Sequence, residues 1–204
     1  MYIPRRYEEK DTAKIYEFIR GNSFAILVSI QNGRPIGTHI PLQLELDPDG
    51  KAGLLGHISR GNEQKHTLIP GAKVLAIFPG PHAYISPRWY TEMKVPTWNY
   101  ISVHIYGTVS IVEGEELRSA LSRLMDTYEH HQPQPVQMEE IPEKELQADL
   151  RGIVGFRIAI EEIQAAYKLS QNRDPQSYHR VIDQLSQGDE TARAVAAEMQ
   201  KRKL

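Results

Sequence analysis

The chain has 204 residues, 26 acidic against 24 basic side chains, and no cysteine. That length suits one domain, or one domain with a small appendage, and buries enough surface to need no metal or disulfide staple. The missing cysteines exclude disulfides, Cys-ligated zinc, iron–sulfur clusters and a thiol nucleophile, and the near-neutral charge gives no basic footprint for nucleic acid.

Asp11 reads as the N-cap of a helix whose apolar face is Ile15, Phe18 and Ile19 and which stops at Gly21. Phe24, Ile26, Val28 and Ile30 then alternate with Ala25, Leu27 and Ser29, a strand pattern, and Asn32-Gly33 signals a hairpin. The return strand is expected from Arg34 to Leu46, closing at Asp47-Pro48-Asp49-Gly50, with a third strand from Lys51 to His57. A short helix near Asn62 to Leu68 ends at Pro70-Gly71, and Lys73 to Phe78 is the next strand. Prolines at 79, 81, 87 and 96 each remove a backbone donor, so an ordered aromatic loop is expected after Phe78. The segment from Ile77 to Gly107 holds both tryptophans, and rings carrying N–H and O–H groups suit a flat, polar-edged ligand or a tight interface.

From Ile101 to Ile111 the alternation returns. Ile101, Val103, Ile105, Val109 and Ile111 form a core face; Ser102, His104, Tyr106, Thr108 and Ser110 form a polar, aromatic one suited to an interface or a site. Helical patterns follow at Glu115 to His130, with Leu117, Leu121, Leu124 and Tyr128 on one face, and at Glu143 to Leu150. A strand is expected from Gly152 to Ile163. Two last helices, Gln176 to Gln187 and Glu190 to Arg202, are separated by Gly188 and Asp189 as caps. Hairpin-joined strands interrupted by short helices read as an α+β fold, an antiparallel sheet or barrel with helices attached. No apolar run reaches the roughly 18 residues of a membrane span, and MYIPRRYEEK has no signal core, so a cytoplasmic protein is expected.

Two segments carry candidate chemistry. At His57-Ile58-Ser59-Arg60-Gly61-Asn62 a strand ends and a helix begins, so free N–H groups, the Arg60 guanidinium and the Ser59 and Asn62 side chains suit a phosphate. The competing reading is an ordinary turn with a solvated Arg60. Thr97-Trp98-Asn99-Tyr100 offers a donor and an acceptor on Asn99 and ring faces for a planar heterocycle; alternatively Trp98 serves only a dimer contact. The eight histidines show no metal spacing, no G-x-S-x-G elbow occurs, and no catalytic residue or metal is assigned. The last two helices read as a packed hairpin rather than a DNA-reading pair. The second is Ala- and Glu-rich, with its basic residues gathered at Lys201 to Lys203.

The motifs Gly80-Pro81-His82-Ala83-Tyr84-Ile85-Ser86-Pro87, Trp89-Tyr90, Val95-Pro96-Thr97-Trp98-Asn99-Tyr100, Val103-His104 and Gly107 resemble those of the PaiB family of FMN-binding negative transcriptional regulators. Met1-Tyr2-Ile3-Pro4, Gly56-His57-Ile58 with Arg60 and Asn62, and Lys168-Leu169-Ser170-Gln171-Asn172-Arg173 extend the resemblance along the chain. Gly61 and Glu63 depart from the family's turn, which more often has Ala and Pro there. The resemblance implies a flavin-binding split barrel over residues 1–172, a helical tail over 173–204 packed on it, and a homodimer with FMN at the interface. It implies that Thr38 and His39 lie along the flavin, and that Lys168, Gln171 and Asn172 fold back on the site, with Lys168 supplying positive charge. It further implies a negative regulator of protease synthesis and sporulation genes. An FMN-dependent oxidoreductase is the rival reading, and direct DNA binding is unsupported by charge.

Overall fold

The computed structural model describes residues 1–202; Lys203 of the predicted basic run lies outside the described residues. In chain order the elements are α1 (Thr12–Gly21), β1 (Phe24–Gln31), β2 (Arg34–Pro41), β3 (Gln43–Leu46), β4 (Ala52–Ser59), β5 (Lys73–Ile85), β6 (Thr97–Val112), α2 (Gly114–Glu129), α3 (Glu143–Arg151), β7 (Ile153–Lys168), α4 (Pro175–Ser186) and α5 (Glu190–Gln200). The fold is α+β, with one sheet in the order β2-β1-β5-β6-β7-β4-β3, open at its β2 and β3 edges. The chain divides into two compact units. The larger comprises Ser23–Ile77 and Ile105–Glu162; the smaller comprises Met1–Asn22, Phe78–His104 and the chain from Ile163 onward.

All seven strands contribute to the larger unit. Asn32 (φ 52°) and Gly33 (φ 80°) are both left-handed, the conformation a two-residue hairpin needs, and they set the register Gln31↔Arg34 to Phe24↔Pro41. The expected single return strand is two strands with different partners. Pro41 has no N–H to extend the ladder, Leu42 is fully buried with its N–H on the Ser23 carbonyl at 2.9 Å, and Gln43 opens a new pairing opposite Leu55. The β1 alternation holds, but its inward face is the smaller set, Ala25, Leu27 and Ser29; Phe24 and Ile30 stand outward, 62% and 59% exposed. Leu55, Val112, Leu117 and Ala120 form a core cluster with Leu121, Leu150 and Ile153 packed on it. Of the predicted α2 face, Leu117 is buried, whereas Tyr128 is exposed and hydrogen-bonds Ser23 Oγ at 2.7 Å.

The expected loop after Phe78 is partly strand. β5 continues through Pro79 and Pro81 to Ile85, and its pairing with β1 ends at Ile77, before the first proline. Prolines in a strand are tolerated where no partner requires their N–H. Thr97 to Tyr100 likewise belong to β6. In the smaller unit Asp11 caps α1 by accepting from Ala13 N and Lys14 N at 3.0 and 3.3 Å, and Ile15, Phe18 and Ile19 are buried as expected. Such a cap contributes about 1 kcal/mol. Phe18 meets Tyr167 edge-on at 5.8 Å, and the Tyr178 hydroxyl ties α4 to α5 by donating to the Met199 carbonyl at 2.8 Å.

Candidate functional site

The turn after β4 is built by its own side chains. Ser59 Oγ accepts from Gly61 N at 3.1 Å, and Asn62 Oδ1 accepts from Gln64 N at 2.9 Å, capping a single 3-10 turn, Glu63–His66. Asn62 Nδ2 also donates to Thr38 Oγ1 at 2.9 Å, which fixes the turn against β2. Gln64, 2% exposed, is the anchor that the sequence reading missed. Its Nε2 donates to the Leu27 carbonyl at 3.0 Å and to Ser29 Oγ at 2.9 Å. A glutamine between Asn62 and a run of polar residues carries no sequence signal for such burial.

Thr38, His57, Ser59 and Asn62 are thereby brought together along one groove of about 560 Å³, lined also by Ala148, Asp149, Gly152 and Ile153. This volume lies in the range of small-molecule sites. Because Thr38 Oγ1 and Ser59 Oγ both accept, their own O–H hydrogens are free to donate. His57 is half-buried, and burial pushes its imidazole below the ordinary value of 6.5. The groove therefore offers hydroxyl donors and a neutral imidazole, a set that fits the ribityl hydroxyls and heterocycle edge of a flavin.

Arg60 is placed elsewhere. Its N–H donates to the Gly152 carbonyl and its Nε to the Arg151 carbonyl, both at 2.8 Å, and it lines a second cavity of about 410 Å³ with Arg118 and Arg151. The turn thus separates the neutral donors from the guanidinium. His39, next to Thr38 and so on the opposite strand face, is exposed and stacks with Phe24 at 6.3 Å.

In the smaller unit, Lys168 Nζ donates to Thr97 Oγ1, and burial together with the nearby Arg173 pushes the ammonium below its usual value. Asn99 is fully buried; its amide hydrogen-bonds Ser170 Oγ at 3.0 Å, where Ser170 takes a left-handed φ of 60°. Gln171 clamps the same loop, accepting from Leu169 N at 2.7 Å and donating to the Tyr167 and Arg6 carbonyls at 2.6 and 3.2 Å. Asn172 is exposed and Tyr100 half-buried. Trp98 is 52% exposed and lines a cleft with His82, Tyr84 and Trp89. Asn99 is thus spent on the Ser170 and Met199 side chains and Gln171 on backbone groups, whereas Lys168 and Trp98 remain available.

His57 and His104 share a consequence for stability. Burial lowers both, and the N-terminal charge adds to the effect at His104. The unfolded chain then binds more protons than the folded one as pH falls through the ordinary histidine range. The stability these neutral imidazoles contribute is present above pH 6.5 and lost progressively below it. Thermal melts of the flavin-free protein should fall from pH 7.5 to 5.5, and His57→Gln should flatten that fall; an unchanged slope would refute the assignment.

The family model described as "Putative FMN-binding domain" matches residues 1–162. The chain is 42% identical over 204 residues, covering 100% of itself and 98% of the relative, to the "Protease synthase and sporulation protein PAI 2" of Bacillus subtilis (strain 168). It is 28% identical over 159 residues to an uncharacterized protein of Saccharomyces cerevisiae, covering 66% of this chain and 94% of that one. Among solved structures it is similar to the FAD and heme binding protein from Mycobacterium smegmatis, with TM-score 0.61, 14% identity, and 85% and 78% of the two chains covered. The flavocytochrome Anf3 from Azotobacter vinelandii also gives TM-score 0.61 at 14% identity, with 87% and 78% covered. The likeness is one of fold, an antiparallel split barrel with flanking helices, with the sheet here not fully closed. By its full-length match to PAI 2 and the family match over most of its length, the chain belongs to the PaiB-like family of FMN-binding proteins, and its cofactor is FMN.

Proposed function

We propose that the protein is an FMN-binding homodimer acting as a negative regulator of transcription, in the role that the PaiB resemblance implies for protease synthesis and sporulation genes. The observation that carries this reading is the 42% identity to PAI 2 over the whole chain, tail included. Thr38, His57, Ser59 and Asn62 would hold the uncharged parts of FMN. The phosphate dianion requires a cation as well; the candidates are Arg60 and, contributed by the second copy of the chain as the resemblance implies, Lys168. FMN supplies redox and light-absorbing chemistry when bound; the chain's own residues supply binding, orientation and a neutral imidazole.

The dimer is supported by the outward face of β1. Ile26 lies opposite His39 and Ile77, and Val28 opposite Gly37 and Leu75, so with exposed Phe24 and Ile30 they form one continuous apolar sheet surface. A surface of this kind favours a partner, and a second copy covers it with an isologous contact. Direct operator binding has little support in the tail. Lys201 pairs with Glu198 at 2.6 Å and Arg202 with Glu9 at 3.7 Å, so these cations are already partnered. Regulation through a partner protein or a flavin-linked signal is therefore the form proposed. The oxidoreductase reading keeps one observation, the neutral imidazole of His57 in the groove.

Titration of flavin-free protein with FMN and riboflavin tests the site. FMN should bind at least about tenfold more tightly, since hydrogen bonds to a charged group are worth roughly 1.5–3 kcal/mol. Arg60→Ala and Lys168→Gln should identify the phosphate ligand, because only the variant lacking it narrows the gap. Equal affinity of the wild-type protein for both flavins would remove the phosphate argument. A footprint by purified protein at physiological salt would show direct DNA binding, and steady NAD(P)H oxidation without a transcriptional effect would favour the enzyme.

A further inference from the structure

The smaller unit holds a cleft of about 440 Å³ that the flavin reading does not use as a whole. His82 and Tyr84 come from β5, Trp89 from the short turn Pro87–Trp89, and Trp98 from the start of β6. The opposite wall is the α4–α5 connection, with Gln184 and Asp189. That wall lies beyond residue 162, where the family match ends. Trp98 and Tyr84 are 52% and 47% exposed although they line a concavity.

Ring geometry decides what would fit. Trp98 meets His82 at 39° with centroids 5.9 Å apart, and meets Tyr84 at 74° with centroids 6.1 Å apart. A planar heterocycle sandwiched between rings needs parallel walls; mutually inclined faces instead surround a compact group on several sides. Aromatic faces are electron-rich, and indole is the best of them for a cation. Asp189 adds the one carboxylate of the lining. Its Oδ1 accepts from Ala192 N at 2.8 Å to cap α5, and no ion pair of Asp189 is found among the described residues. The neighbouring cation, Arg193, is turned to the Gly188 carbonyl at 2.6 Å rather than to this carboxylate.

We infer that this cleft binds a small organic ammonium ion, held by the faces of Trp98, Tyr84 and Trp89 and by the charge of Asp189. Such a ligand differs in kind from FMN, whose phosphate would be repelled by Asp189. The site would give the chain a second input, independent of flavin, at the junction between β-strand aromatics and the helical tail.

The chain contains only two tryptophans, Trp89 and Trp98, and both line the cleft, so intrinsic tryptophan fluorescence reports on it directly. Full-length flavin-free protein would be titrated at pH 8 with choline and with its uncharged isostere 3,3-dimethylbutan-1-ol. Choline should perturb the emission saturably and bind at least about tenfold more tightly than the isostere. Asp189→Asn, which keeps a competent N-cap for α5, should weaken choline severalfold and leave the isostere unchanged. Trp98→Leu should abolish the preference and Trp98→Phe should restore part of it. Equal binding of choline and isostere, no saturable response to choline, or tighter binding of a neutral planar probe such as adenine would each overturn the proposal. FMN affinity, followed by flavin fluorescence, should be unchanged in Asp189→Asn. A wild-type protein that binds choline but not FMN would sink the flavin reading and leave this one standing.

Discussion

Gly107→Ala is expected to lower the melting temperature by roughly 6–12 °C, or to prevent folding of the larger unit altogether. A Cβ at this position would lie 2.3 Å from the Ala159 carbonyl oxygen and 2.6 Å from Ile158 Cγ2. The first of these is backbone of β7, so relief requires the two strands to move apart rather than one side chain to rotate. Overpacking of a rigid core costs about 1–3 kcal/mol and more where backbone must shift, so a loss near about 3 kcal/mol is the expectation. Gly61→Ala is the matched control. Its Cβ would meet only Ser59 Oγ, at 3.4 Å, and its melting temperature should stay close to wild type. Thermal melts of both variants decide the matter; a Gly107→Ala protein with wild-type stability would mean that β6 and β7 have slack there.

The contrast between these glycines shows what a sequence can and cannot state. Local chemistry was legible: Asp11 and Asp189 act as caps, and Asn32-Gly33 turns the hairpin, because each requirement is met within a few residues. Partner exchange was not legible. Nothing in Arg34 to Leu46 announces that its first part pairs with β1 and its last part with β4, because both parts alternate alike. Prolines 79 and 81 misled in the same way: they forbid a paired N–H, but whether a partner strand is present at that point is a tertiary fact. The groove shows a similar division. His57, Ser59 and Asn62 were found from the strand-to-helix turn, and Thr38 entered through the family resemblance. The direction of Arg60 depends on the carbonyls of Arg151 and Gly152, about ninety residues along the chain, which no local pattern specifies.

Phe24→Glu with Ile30→Glu is expected to convert a dimer of twice 23.3 kDa into a monomer of that mass. These two side chains are 62% and 59% exposed within one chain, so charging them leaves the chain's own core untouched. In a dimer that covers the outward face of β1 they would be buried, each contributing about 1.5–3 kcal/mol, and two carboxylates per chain placed there would be desolvated against apolar surface. The paired geometry sharpens the expectation. Phe24 lies opposite Pro41 and Ile30 opposite Pro35, neither of which has a side-chain hydrogen-bond donor, while His39 stacks beside Phe24 on this face. The variant should sediment as a monomer at concentrations where the wild type is dimeric, with unchanged circular dichroism. If FMN is shared between subunits, its affinity should fall in parallel with dimerisation, and raising the protein concentration should recover both. A wild-type monomer with full FMN affinity would refute the dimer and the shared site together, whereas a charged variant that remains dimeric would move the interface off β1 and leave flavin binding intact.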